Sequence, residues 1–491
     1  MWARVKLDRI FAVHCVFSPR SIMGLFPRRK MPSKMSCHVD SSFYLKNPAL
    51  YVKIKKRGDF VEKKSKKRFM LTLVIFSLVG QIAWVVENMY FNVFIYNMFG
   101  ASSEDISLMV ALSAVTATVT TLLIGALSDK LGKRKVFIFG GYILWGVSIS
   151  GFALVRQDII GAVFPTAVSV SAICVTIAIV LDCVMTFFGS SANDACFNAW
   201  LTDTTTSENR GSAEGINAMM PLVAILVVFG GAMLIPLEQT DKNYWTIIFL
   251  VIGGAVILIG ILGIFLIDEP KIEIQENKSY LGNIIYGFRP SVIKKNPMLY
   301  IYLALFTAFG ISIQIFMPYL IIYYERGLEM SNYVFIMAPA IVLASVFTAI
   351  WGRMYDKLKF QKSVVPCVVL LALGYVILFA LDNTVMVFIG SLLMMCGYLS
   401  GMAVFGAVIR DNIPENKAGM FQGLRIVGQV LIPGVIGPYI GSFILRNARQ
   451  ELINGQLTFI PNENIFLGAL IVDVILMIGL GILFFVKRKA K

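Results

Sequence analysis

The chain has 491 residues, 57% of them apolar and only 15% charged, against about 45–50% and 25% in ordinary soluble domains. That balance excludes a soluble globular fold and places the protein in a bilayer. A net charge of +15 would suit nucleic acid or an acidic partner, but the basic residues follow a topology along the chain, which excludes both.

Residues 1–68 carry 18 of the lysines and arginines and both histidines, His14 and His38. No apolar run here is long enough to span a membrane or serve as a secretory signal. The expectation is a basic, disordered cytoplasmic tail, with Met31 and Met35 as further candidate starts. Its last stretch, Lys53 through Arg68, is suited to anchoring topology or to touching anionic lipid headgroups.

A spanning helix needs about 20 apolar residues. Runs of that kind occupy 69–97, 105–127, 136–155, 174–201, 214–236, 244–267, 298–323, 332–352, 364–382, 384–409, 417–445 and 463–486. The expected fold is all-α, with twelve transmembrane helices in two pseudo-symmetric six-helix bundles. The bundles take residues 69–267 and 298–486, joined by a cytoplasmic linker (268–297) and followed by a short basic tail (487–491). With both termini inside, the inner loops and C-terminus hold 20 Lys and Arg and the outer loops five, as the positive-inside rule requires. Between Gly161 and Leu201 the apolar run is too long for one upright helix. The excess near 161–173, with Pro165, is expected as an outer loop or surface lid, and Gly189-Ser190-Ser191 is expected to break or bend the helix.

Gly125-Ala-Leu-Ser-Asp129-Lys130-Leu131 returns in kind at Gly352-Arg-Met-Tyr-Asp356-Lys357-Leu358, 227 positions later. The register holds without a gap from Glu87 to Lys135 with thirteen identities, several of them glycine, aspartate or lysine, so a shared oily composition does not explain it. A second correspondence, 208 positions apart, pairs Asp203 with Asp411, Glu214 with Gln422 and Asn217 with Arg425. Repeats of this kind place a solute site at the seam between halves, near the bilayer midplane.

Charges inside spans cost roughly 2.5–3.5 kcal/mol each, so they mark a pathway or a cavity. In the first span Gln81, Trp84, Asn88 and Asn92 fall on one helical face with Glu87 at its edge. Glu87 maps onto Gln314 in the seventh span, near Tyr319, so one half carries an acid where the other carries its neutral isostere. In the fourth span Ser190, Asp194 and Asn198 repeat every four residues beside Asn193 and Trp200, with Asp203 at the helix end and Asp182 further out. Arg425 in the eleventh span calls for an anionic neighbour, with Glu214, Asp194 or Glu87 as candidates, or else it snorkels. Glu87 and Asp194 are the candidate cation-coupling acids. Trp84 and Trp200 are candidate platforms for a sugar ring, and Asn88, Asn92, Asn193, Asn198, Gln314, Tyr319 and Arg425 complete the candidate solute contacts.

Seven cysteines, mostly within spans, form no C-x-x-C pair and read as small core residues; no metal site is expected. No glycine-rich phosphate loop is present, so ATP is not the energy source, and the carboxylates lack catalytic spacing. No enzyme activity and no cofactor are expected.

Gly125-x-x-x-Asp129-x-x-Gly132-x-Arg134-Lys135 resembles the loop between helices two and three of the major facilitator superfamily, with Gly352 and Asp356 as its degenerate second copy. Asn193-Asp194-Ala-Cys-Phe-Asn198-Ala-Trp200-Leu-Thr-Asp203, followed by Asn209-Arg210-Gly211, resembles the fourth helix of the glycoside-pentoside-hexuronide:cation symporters and of the related sucrose and proton/sugar carriers. Lys417-Ala-Gly419-Met-Phe-Gln422-Gly423-Leu-Arg425 resembles their eleventh-helix entry.

The resemblance implies a monomeric transporter of the plasma membrane that moves a small polar solute, a sugar or glycoside, with a proton or sodium by alternating access. The acid pair that binds sodium on the second helix of melibiose-type members has no counterpart in Ala117-Thr118-Val119-Thr120-Thr121, which favours the proton. The loop cluster is expected to latch the outward-open state. Proton-driven drug efflux, a lysolipid carrier and a non-transporting receptor or scaffold that uses the basic tail are the competing readings.

Overall fold

A computed structural model describes residues 48–205, 210–234, 241–269, 286–330, 332–413, 418–453 and 456–489. Most of the basic tail, Asn209, Lys417 and the linker stretch 270–285 lie outside them. So do the side chains of Arg210, Glu214, Asp356 and Gln422. The chain divides into two units, Met1–Phe69 and Met70–Lys491. In the first, the backbone is helical from Pro48, where a disordered tail was expected. Seven lysines and two arginines, good helix formers, lie between Pro48 and Phe69.

Eleven helices among the described residues are long and apolar enough to cross a membrane: α1 (Lys67–Phe99), α2 (Ser103–Leu131), α3 (Lys135–Leu154), α4 (Val170–Thr204), α6 (Lys242–Leu266), α7 (Pro297–Gly327), α8 (Val334–Tyr355), α9 (Lys357–Ala380), α10 (Thr384–Asn412), α11 (Gly423–Leu445) and α12 (Asn464–Lys489). The twelfth, α5 (Arg210–Met233), contains a shorter apolar stretch, Gly215–Gly231. Each of the twelve expected spans falls on a helix, eleven of them long and apolar enough to cross a membrane. In this account the end of the second unit with Arg134 and Lys489 is its near end, and that with Gly100 and Leu445 its far end.

Local signals start and stop these helices. Ser102 and Asp105 form a reciprocal capping box at the start of α2, which satisfies two amide groups left over in the first turn. Gly132 ends α2 in a left-handed conformation, φ 62°, at no steric cost. The excess before the fourth span folds as a short helix, Gln157–Val163, then irregular chain to Ser169, whose side chain caps α4. Gly189-Ser190-Ser191 does not break α4. The helix instead widens into a π-helical segment, Ser190–Phe197, and similar π turns interrupt α1 (Val86–Tyr90), α7 (Tyr323–Gly327) and α11 (Val427–Leu431).

In the first half, α3 packs against α4 and α6 while α2 packs against α4. Aromatic rings fill its core, with Phe91 against Phe152 at 4.3 Å and Phe94 against Phe249 at 4.9 Å between centroids, each pair contributing about 0.5–1.5 kcal/mol beyond its buried area. In the second half α7 is flanked by α11 and α12. The halves meet where α2 lies on α11: Gly434 comes so close to Ala114 that a side chain there would collide with it.

One element was not anticipated. Between α11 and α12 an antiparallel hairpin of β1 (Gln450–Ile453) and β2 (Gln456–Phe459) covers part of the far end.

Candidate functional site

The π turn in α1 decides where the first-span polar residues point. Each such turn adds one residue, so positions four apart across it no longer align. The single stripe expected from Trp84, Asn88 and Asn92 is therefore split. Asn88 is exposed at mid-span, while Asn92 is buried and its amide reaches only the Asn88 carbonyl at 3.4 Å.

Glu87, in the same turn, points into the first half, 8% exposed. Its Oε1 accepts from Ser113 Oγ of α2 at 2.6 Å and from Thr186 Oγ1 of α4 at 2.8 Å, and the two hydroxyls lie 2.9 Å apart. The other oxygen, Oε2, has no hydrogen-bond partner. Asp194, within the π segment of α4, accepts from Ser190 Oγ at 3.1 Å and from Asn193 Nδ2 at 3.2 Å, and the Trp84 indole stands beside it. Neither acid forms a salt bridge among the described residues.

Several expected solute contacts are placed differently. Asn193 is buried behind Asp194, and its Oδ1 lies 3.0 Å from the Tyr142 hydroxyl, which also meets the Phe76 carbonyl at 2.9 Å. It therefore orients the acid. Trp200 offers no free ring: it is 2% exposed, stacks on Phe197 at 5.6 Å and donates Nε1 to the Asp268 carbonyl at 3.0 Å. The extra residue in the π segment turns it away from the seam. Trp84 is half-buried against Trp145, 5.0 Å between centroids. Asn198 is exposed, its amide 3.3 Å from the Asp194 carbonyl.

On the facing half Gln314 is half-buried, its Cβ against Gly437 of α11. Arg425 donates Nε to Gln429 Oε1, four residues on, at 2.7 Å. Glu87 and Asp194, two of its three expected acids, make their contacts elsewhere, and the side chain of Glu214 lies outside the described residues.

Tyr319, expected among the solute contacts, lies in the far-end contacts between the halves. It is fully buried, its hydroxyl shared between the carbonyls of Ser103 (3.1 Å) and Pro438 (3.2 Å). Around it Ser442 reaches Ser103 at 3.1 Å, Thr458 reaches the Ala101 carbonyl at 2.9 Å, Tyr96 reaches the Phe459 carbonyl at 2.6 Å and Arg326 faces Asn97 at 3.5 Å. Five of these six bonds link one half to the other, the Tyr319–Pro438 bond staying within the second half, and all lie at the far end.

The loop motif gathers at the near end. Arg134 is buried and pairs with Asp129 and, at 3.1 Å, with Asp203, while Nη1 donates to Ser128 Oγ at 2.5 Å. Burial works against its charge, but the two carboxylates outweigh that and hold its pKa above the usual value. Glu269 accepts from the Arg134 and Lys135 amides, which start α3. In the second copy, beside Gly352, Tyr355 donates to Asp411 Oδ2 at 2.8 Å; Asp356 lies outside the described side chains. Each of these bonds stays within its own half, so the first-half cluster ties the ends of α2, α3 and α4 to the chain that follows α6.

Sequence reasoning missed Ser113 and gave Asp182 no role. A signal existed for the first, since Ser113 maps 227 positions on to apolar Ala340, so the repeat drops a hydroxyl there as it drops a charge between Glu87 and Gln314.

A model of the Major Facilitator Superfamily matches residues 69–438 and 340–491. No curated protein matches the chain. Among solved structures it is similar to a mutant of the nucleoside transporter NupG, at 11% identity and TM-score 0.64, covering 84% of this chain and 99% of that one. It is also similar to a bacterial homolog of the human lysosomal transporter Spinster in an inward-facing, occupied conformation (16%, 0.62, 86% and 97%) and to the xylose transporter XylE from E. coli in a partially occluded inward-open conformation (14%, 0.60, 83% and 97%). At these identities the likeness shows the fold alone.

Proposed function

The chain belongs to the Major Facilitator Superfamily, a family of membrane transporters and not of enzymes, and on that premise we propose that it carries a small hydroxyl-rich solute together with a cation. The solute is a sugar or glycoside, and the cation is a proton before sodium. The observation that carries this reading is the placement of Glu87: one carboxylate oxygen is held by two hydroxyls from α2 and α4, the other is bare, and the repeat puts neutral Gln314 in the matching place of the other half. A symmetric scaffold with an acid in only one half can tie solute movement to an electrochemical gradient.

Asn88, exposed at mid-span, Asn198, exposed toward the near end of α4, Trp84 beside Asp194, and Gln314 and Arg425 on the facing half are the proposed solute contacts. Asn193 supports Asp194 from behind. Two of the similar structures are transporters of nucleosides and of xylose, solutes that share a pentose ring, which supports the sugar or glycoside class. The resemblance of the fourth and eleventh helices to the glycoside-pentoside-hexuronide:cation symporters supports it too. With both termini cytoplasmic in a plasma membrane, as the basic loops favour, the sealed far end makes this state inward-facing.

The test has two arms in proteoliposomes with pentoses, nucleosides and glycosides as probes. Wild type should show both counterflow exchange and gradient-driven uptake, and Glu87→Gln should keep the exchange while losing the uptake. Unchanged gradient-driven uptake in Glu87→Gln would overturn the coupling role, and no exchange of any probe by wild type would overturn the solute class.

A further inference from the structure

Asp182 lies on α4 one turn before Thr186, and it is 1% exposed. Its carboxyl faces Ser113 and Glu87, and its Oδ1 has no hydrogen-bond partner. Two acids from different helices thus converge on the Ser113 hydroxyl, with Thr186 completing the contacts of Glu87, and each acid keeps a bare oxygen inside a packed bundle. The titratable groups facing them are Asp194 and Cys183, both on α4. From α2 the Ser113 hydroxyl meets both acids, and Thr116 stands against Cys183. Neither acid forms a salt bridge among the described residues.

Two carboxylates sharing so small a space repel, and bare oxygens inside a protein are costly unless something fills the gap. A lysine or arginine would relieve the charge permanently, and none pairs with either acid among the described residues. A mobile cation relieves it reversibly. A proton bridges two carboxylates directly, and sodium takes carboxylate and hydroxyl oxygens together, both of which this corner supplies.

We propose that Glu87 and Asp182 form one site for a single monovalent cation, a proton or a sodium ion, bridged by the hydroxyls of Ser113 and Thr186. The site deepens the reading of Glu87 as the coupling acid and rests on it. It adds Asp182, which takes the cation jointly with Glu87 and never contacts solute. It also accounts for coupling without an acid pair on the second helix, because the two acids come from α1 and α4 and are joined by a single hydroxyl of α2. Binding then pulls three helices of one half together, which a lone acid on one helix would not do.

The test uses purified full-length protein with no solute, so it can fail separately from the transport reading. Thermal unfolding is followed across a pH series without sodium, and across a sodium titration at the alkaline end of that series. If the site takes protons, the wild-type midpoint falls as pH rises. If it also takes sodium, saturating sodium restores about 2–4 °C at alkaline pH. Glu87→Gln and Asp182→Asn should each flatten these responses, and the double variant should flatten them no further, because one cation serves both acids. Ser113→Ala, which keeps both acids, should weaken the response and stands in if Asp182→Asn does not fold. A pH and sodium response of Asp182→Asn or Ser113→Ala equal to that of wild type, additive loss in the double variant, or a wild type that answers to neither cation would each overturn the shared site.

Discussion

Lys359 stands 227 residues after Gly132, at the same place in the second copy of the loop motif, and it takes the same left-handed φ, 59° against 62°. Glycine meets no penalty there, whereas a residue with a Cβ carries about 1–3 kcal/mol of strain. In Lys359 the ψ is 174°, a region that essentially only glycine visits. Lys359→Gly should therefore raise stability by about 1 kcal/mol or more, measured as a higher midpoint in thermal or denaturant unfolding. A lower midpoint would mean that the lysine side chain contributes more than its backbone costs.

Arg134 is the hub of the near-end cluster. Arg134→Gln leaves Asp129, Asp203 and Ser128 without their shared donor. Breaking a fully buried pair costs about 3–5 kcal/mol. Asp129 and Asp203 are 56% and 29% exposed, so a loss of about 2 kcal/mol is expected. Solute affinity should be unchanged, since the cluster lies away from the proposed contacts, while counterflow slows because the ends of α2, α3 and α4 no longer move as one body. Equal turnover in wild type and variant would count against that mechanical role.

Tyr319→Phe removes the hydroxyl that joins the Ser103 and Pro438 carbonyls. A hydrogen bond of this kind is worth about 0.5–1.5 kcal/mol, so the balance between closed and open far ends should shift about two- to tenfold towards open. Spin labels at the exposed far-end positions Glu104 and Leu457, one in each half, would report this as a larger population at the longer separation. A distance distribution identical to that of wild type would show that the hydroxyl does not hold the far end shut.

Trp200 and Trp84 make opposite predictions. Trp200→Phe keeps the ring on Phe197 but loses the bond to the Asp268 carbonyl, which should lower stability by about 1 kcal/mol with no change in solute affinity. Trp84→Ala should instead weaken solute binding, measured by the concentration dependence of the thermal shift. Loss of affinity in Trp200→Phe would return that ring to the solute pocket.

The twelve spans were legible because composition alone fixes where a bilayer accepts a chain, and the register of the repeat tied the halves together. Glu87, Asp194 and Gln314 were legible for the same reason: a polar residue in an oily run stands out, and the repeat shows whether its mate shares the polarity. What periodicity could not reveal was direction. The π turns in α1 and α4 add a residue that no local signal announces, so Asn92 and Trp200 were assigned to a face they do not occupy. Tyr319 was misjudged for a different reason, since its role depends on Ser103 and Pro438, 216 and 119 positions away in the chain. The far-end hairpin escaped because two strands of four residues carry too little alternation to separate them from a loop.

The widened turn Val86–Tyr90 has one more consequence. It absorbs a surplus residue without moving either end of α1, so the helix is in effect spliced from two rods whose angular settings are independent. A single-residue deletion there would fuse the rods into a regular helix and swing one against the other by about 100°. The carboxyl now enclosed by its own half would then come round to a different wall. The surplus residue thus acts as an indexing device, fixing which compartment of the protein the charge addresses, and a length variant would reveal it where a substitution would not.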